Sequence, residues 1–314
     1  MRGSVELAHV VRSGWVESVH AGHAVLVDPD GAVVRAWGRP EDPILPRSSN
    51  KPLQATGMVA AGLDLDARGL AIAAASHSGE SFHLDTVLAV LLGGGLGEAD
   101  LANTPDLPYD RDTMVAWLAA GRGPTALAQN CSGKHAAMLR TAQVLGSPTV
   151  GYLDPAHPVQ RAAVAGVEAL TGERVAHTGV DGCGAPVVAV SLVGLARAMS
   201  RMVQAGAGTA PARVAGAMAA HPEFVGGTGR DVTAFMRGVP GAIAKDGAEG
   251  VHVLALPDGR AAALKVADGS ARARQAVACA LMTHLEVDPQ VVTACAPPAV
   301  LGAGRPVGHV RATI

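Results

Sequence analysis

Aromatic side chains are nearly missing from this sequence. Phe, Trp and Tyr make up 3% of its 314 residues, although 49% are apolar. A core with so few rings must be built from Ala, Val, Leu and Gly at short packing distances. Also missing is any uncharged run of about 18 apolar residues, the minimum for a membrane-spanning helix. The opening MRGSVELAHVVRSGW places Glu6, His9 and Arg12 where a signal peptide would be apolar. A soluble, cytoplasmic protein is therefore expected. Neither sign of charge dominates: the net charge is −2 and the arginines are scattered. This speaks against nucleic acid or an anionic membrane as the main partner. There are only four cysteines, Cys131, Cys183, Cys279 and Cys295, and no C-x-x-C pair. That excludes a disulfide scaffold and disfavours a redox thiol protein. Cys279 in QAVACALM and Cys295 in VVTACAPP read as small buried hydrophobes.

Lysine is scarce too. Of 25 basic residues only Lys51, Lys134, Lys245 and Lys265 are lysines. A chain that meets its needs for surface charge with arginine has kept lysine at four places. Lysine, unlike arginine, can lose its proton near neutrality when buried or beside another cation. Each is a candidate for chemistry.

Along the chain, VELAHVV, WVESVHA and HAVLVD predict strands, and DPDG (Asp28 to Gly31) a hairpin turn before AVVRAW. Helical spacing runs from Lys51 to about residue 145, from Pro158 to about Leu170, and over about 188–204 and 210–220. VHVLALPDGRAAALKVA predicts a hairpin turning at PDG. A helix follows over about 271–285, and RPVGHVRATI returns as an edge strand. The fold class expected is α/β of the α+β kind, a single catalytic domain over residues 1–314. Its antiparallel sheet comes from about 1–50 and 240–314, with flanking helices and an all-α part between.

Five stretches carry chemistry. In PRSSNKP, Pro52 fits a helix only in its first turn, which puts the helix start near Ser48. Ser48 and Lys51 then share a face as nucleophile and base, or else form a capping turn with a solvated lysine. ASHSGESFH (75–83) follows a helix as a capping turn or the rim of a site, with His77 and His83 open to metal binding. In QNCSGKHAAML (129–139), Cys131 and Lys134 flank a helix start that would stabilise a thiolate. GVDGCGAP (179–186) presents Asp181 and Cys183 on a glycine-rich turn. Finally, AKDGAEG precedes ALKVADGSARAR, where Lys265 sits among apolar strand residues that would depress its pKa, with Asp268 as a nearby partner.

Taken in order, RSSNKP, SHSGE, NCSGKHAAML, DGCGAP, AKDGAEG and ALKVADGSARA resemble the rhizobial-type asparaginases, serine-lysine enzymes that bind zinc. The resemblance spans nearly the whole chain. It implies a fold like that of the serine β-lactamases and glutaminases, and two serine-lysine pairs in one pocket, Ser48 with Lys51 and Ser76 with Lys265. It also implies a zinc ion held by Cys131, Lys134 and Cys183, substrate contacts from Arg47, His135 and Asp181, and a homodimer. Hydrolysis of L-asparagine to L-aspartate and ammonia is the activity implied, with Ser48 favoured as nucleophile. Lys245 is left to support the site or bind the substrate carboxylate. The alternatives are a glutaminase or other serine amidohydrolase of the same fold, since one methylene is discriminated only modestly, and a non-catalytic protein binding zinc or an amino acid.

Overall fold

The computed structural model describes all residues, 1–314. Three strands open the chain: β1 (Val5–Arg12), β2 (Trp15–Val27) and β3 (Val33–Trp37). The helices α1 (Lys51–Ala60), α2 (Ala67–Ala73), α3 (Ser81–Leu92), α4 (Arg111–Ala119), α5 (Ser132–Val144) and α6 (Pro158–Thr171) follow. A small separate hairpin, β4 (His177–Val180) and β5 (Pro186–Ala189), precedes α7 (Leu192–Val203), α8 (Ala210–Ala220), α9 (Pro222–Val225) and α10 (Asp231–Gly238). The chain then returns to the sheet with β6 (Ile243–Gly247), β7 (Val251–Ala255) and β8 (Ala261–Val266). It ends with α11 (Ala271–His284), α12 (Pro289–Ala294), β9 (Val300–Gly302) and β10 (Arg305–Ala312).

The main sheet is antiparallel, ordered β6-β7-β8-β2-β1-β10-β9, with β3 also paired to β2. Strands from both ends of the chain thus interleave, as the sequence pattern implied. β2 runs unbroken where that pattern gave two strands. Gly22 lies at its centre, pairing with Val5 of β1 and Val266 of β8. A Cβ there would stand 2.1 Å from the Lys265 carbonyl oxygen, so only glycine lets the strand pass. β7 and β8 are buried along their whole length. α7 packs on β2, β7 and β8, and α11 on β1, β8 and β10, so β8 is covered by both helices. No helix is long and apolar enough to cross a membrane.

One cluster of 70 buried hydrophobics runs through sheet and helices, and its only rings are Tyr152, Phe224 and Phe235. Small residues let the helices approach closely, as the shortage of aromatics implied. Gly133, in the first turn of α5, is the sharpest case. A Cβ there would lie 2.3 Å from the Ile72 carbonyl oxygen of α2. Gly133→Ala must push α5 away from α2, so it is expected to lower stability by about 2–3 kcal/mol in urea unfolding.

Candidate active site

Four helix N-termini meet at one cavity of about 270 Å³. Ser48 lies in the 3-10 turn Arg47–Asn50 that leads into α1, and Asn130 just precedes α5. Arg230 caps α10, and Ala271 and Arg274 lie in the first turn of α11. Unpaired N–H groups at helix starts favour anions and developing negative charge. Ser76, three residues past the end of α2, lines the same space. The opposite wall is the end of β6 and the turn into β7, with Asp246 and Glu249. Arg47 and Glu249, flanking the cavity, both take the left-handed backbone region, with φ of 51° and 61°. Such non-glycine residues are strained and must be held by their surroundings. For Arg47 the hold is Asp181, 2.7 Å from its Nε.

Lys51 turns inward. Its side chain is buried, and Nζ donates to Ala75 O at 2.6 Å, Ser76 Oγ at 3.1 Å and Cys131 Sγ at 3.0 Å. The spacing of Ser48 and Lys51 leads one to expect a bond between them. The structure instead gives the amine to Ser76, and the half-buried Ser48 hydroxyl has no partner within the chain. Lys265 makes no bond to Ser76; it donates to the carbonyls of Glu249 and Val266. The lysine that comes near Lys51 is Lys245. It is fully buried, and its amine donates to Asp246 O at 2.7 Å and Oδ1 at 2.8 Å. Burial, helped by Lys51 and opposed by Asp246, lowers its pKa to about 8.

The three expected metal donors lie together. Cys131 and Cys183 pack side by side, and Lys134 Nζ is 3.3 Å from Cys183 Sγ. Cys183 arrives on the turn between β4 and β5, closed by Asp181 N to Ala185 O at 2.9 Å. The Cys183 thiol, with Lys51 and Lys134, holds Cys131 well below the ordinary thiol range despite its burial. Cys183 is pushed up, first by Cys131 and then by burial. For Lys134 burial works against the charge, but Cys183, Cys131 and Asp181 outweigh it and raise the pKa. Its amine is buried with a single sulfur as hydrogen-bond acceptor, and a metal ion held by the same sulfurs would take the place of its proton. Two sulfurs and a nitrogen fit zinc's preference for N and S ligands. No group of three or more His, Cys, Asp or Glu side chains able to hold a metal occurs in the chain.

The remaining candidates separate. His135 is fully buried, with Nδ1 2.8 Å from the Tyr152 hydroxyl, and does not line the cavity. His77 and His83 stack on each other, ring centroids 5.1 Å apart. Their Nδ1 atoms accept from the backbone of Gly79 and Glu80, so each Nε2 carries the proton and donates, to Ser132 Oγ and Glu223 O respectively. These bonds occupy all four ring nitrogens and make the SHSGE stretch a structural turn. It presents Ser76 from its first residue.

Apart from Arg274, five polar or aromatic lining residues were given no role by the sequence: Tyr109, Asn130, Arg230, Asp246 and Glu249. Asn130, Asp246 and Glu249 sit within quoted motifs and could have been found there. Tyr109 and Arg230 come from stretches without a motif. Arg274 closed one of the motifs quoted but was given no role.

The sequence profile described as L-asparaginase II matches residues 8–312. No curated protein matches the chain. Among solved structures, a β-lactamase from Mycobacterium bovis superposes with a TM-score of 0.47 at 14% identity, covering 84% of this chain and 94% of that one. EstCE1, a hydrolase with promiscuous acyltransferase activity, superposes with a TM-score of 0.38 at 13% identity, covering 92% and 93%.

The burial of Lys245 has a measurable cost. Its ammonium is disfavoured in the folded chain, so between pH 8 and 10.5 the unfolded chain binds more protons and stability rises with pH. Below that window the folded chain carries the full penalty, about 3 kcal/mol. Urea unfolding across the window is expected to show this rise in the wild type relative to Lys245→Met; parallel curves would count against it.

Proposed function

The chain belongs to the L-asparaginase II family, and from that premise we propose that it hydrolyses L-asparagine to L-aspartate and ammonia through a serine acyl-enzyme. One observation carries the mechanism: Lys51 holds Ser76, while Ser48 stands unpartnered in the same cavity. Ser48 Oγ attacks the side-chain amide carbon. Its proton passes to Ser76 Oγ, and the Ser76 proton to the Lys51 amine, which acts as base once it has given up its own. The C–N bond breaks as the proton returns along this path to the leaving nitrogen, and ammonia departs. Water then cleaves the ester, its proton taken by the same relay. Helix starts around the cavity favour the negative charge that builds on the carbonyl oxygen.

The Lys51–Ser76 bond also favours a second assignment, with Ser76 attacking and Lys51 as its direct base. Trapping the acyl-enzyme and locating the added mass by peptide mapping decides between them. An adduct on Ser48 sustains the relay, and one on Ser76 replaces it. Ser48→Ala is expected to lower kcat about 10³-fold or more. Ammonia from L-glutamine in preference to L-asparagine would make the chain a glutaminase, and ammonia from neither would leave a binding protein.

We propose further that Cys131, Cys183 and Lys134 hold zinc. When bound, the ion supplies a fixed positive charge beside the cavity that helps orient the substrate. Purified protein is expected to carry one zinc per chain by elemental analysis, and Cys183→Ser to lose it. Equal metal content in both would end this assignment.

A further inference from the structure

Along the cavity wall lies a network of charges made of two adjacent hydrogen-bonded groups. Arg274 Nη1 donates to Asp231 Oδ2 at 2.8 Å and to His252 Nδ1 at 2.8 Å. Arg230 pairs with Asp246, which also takes Lys245 at 2.8 Å. Arg274, Lys245, Asp231 and His252 are buried, and Arg230 and Asp246 only slightly exposed. His252 is neutral, because burial and then Arg274 bring its pKa down to about 4. The network therefore holds three cations, Arg230, Arg274 and Lys245, against two carboxylates, Asp231 and Asp246.

A buried excess of one positive charge is costly unless something neutralises it. Lys245 is sealed off, its amine committed to Asp246. The two arginines line the cavity. Only Nη1 of Arg274 and Nη2 of Arg230 are engaged by side chains of the network, which leaves N–H groups on both to face a ligand. Arg230 is further fixed over the Tyr109 ring, 4.8 Å from its centroid. Arg274 stands in the first turn of α11, whose N-terminus adds positive potential. The other acid on the wall, Glu249, is exposed and faces Lys265, which donates to its carbonyl, so it does not balance the network.

We propose that Arg274 and Arg230 form the subsite for the substrate's free α-carboxylate, and that this pair restricts the enzyme to amides carrying that carboxylate. The assignment rests on the amide hydrolysis proposed above and names how its substrate is selected. Planar guanidinium groups suit a carboxylate in a way an ammonium does not. The role of carboxylate binder, open to Lys245 from the sequence, thus falls to these arginines.

The test compares L-asparagine with L-aspartic acid diamide, in which the α-carboxylate is a neutral amide. Wild type is expected to prefer L-asparagine about 10²-fold in kcat/KM. In Arg274→Gln that preference is expected to collapse towards one, with the loss for L-asparagine falling mainly on KM. A wild type that treats both substrates alike overturns the proposal and needs no variant. A variant that loses activity equally on both, keeping the preference, also overturns it, since a merely structural arginine would behave so. If wild type releases no ammonia, the hydrolysis reading fails on its own and the subsite is read by calorimetric binding of the same two compounds. Binding of L-asparagine alone, weakened in Arg274→Gln, then supports the subsite. Equal or absent binding in the wild type, or binding undiminished in the variant, overturns it.

Discussion

Lys51 carries its amine into the interior and finds three partners there: a carbonyl and a hydroxyl from residues 75 and 76, and the sulfur of Cys131. Those partners belong to the segment after α2 and the start of α5. A single side chain therefore ties α1 to two other parts of the helical region and to the serine that lines the cavity. Taking away the amine would leave a buried hydroxyl and sulfur without their donor. It would also unfix the spacing between the serine wall and the two-cysteine cluster. The short approach of α2 to α5 at Gly133 makes this possible, since a larger residue there would move Cys131 away from Lys51.

Around that tie the site is built from beginnings. Helices α1, α5, α10 and α11 all present their starts to the cavity, so the field is positive before any side chain is counted. The arginines add to it, and the acids of the wall are largely consumed in balancing them. Asp246 shows the competition. Burial alone would raise its pKa, but Arg230, Lys245 and Arg274 hold it well below the usual carboxylate range. The cavity is thus a place where negative charge is welcome and where a buried lysine is half-relieved of its own.

Much of the fold was legible because its signals are local. The DPDG and PDG turns, Pro52 in the first turn of α1, and the helix over 210–220 depend on residues close in sequence. Partners were less legible. Ser48 and Lys51 are three apart, and that spacing argued for a pair. Yet Lys51 reaches a residue 25 positions away, because the turn before α1 is a 3-10 turn packed on β6 while the Lys51 side chain points to the segment after α2 and the start of α5. Lys265 was paired with Ser76 through the resemblance, and its apolar strand neighbours agreed with a lowered pKa. Lys265 and Lys245 both lie on buried strands, but only Lys245 is close enough to Lys51 for its charge to be felt. Arg230 had no motif to announce it, for it works through a contact with Asp246 that only the folded chain creates. The small hairpin carrying Cys183 was read as a turn alone, since its strands are four residues each.

The pairing of β1 with β10 joins Ala8 to Ala312. β1 is made long before β10, and the two cannot meet until both are complete. Until then β1 can pair with β2, but the edge awaiting β10 stays open, and β2 lacks the β8 partner that its second half requires. Separations of this kind make folding slow and leave unpaired strand edges exposed during synthesis. The β1–β2 hairpin, though finished first, must wait for β8 and β10. The cavity cannot close earlier than α11, which supplies Ala271 and Arg274. A chain truncated before β6 would hold Ser48 and Lys51 with no wall opposite them.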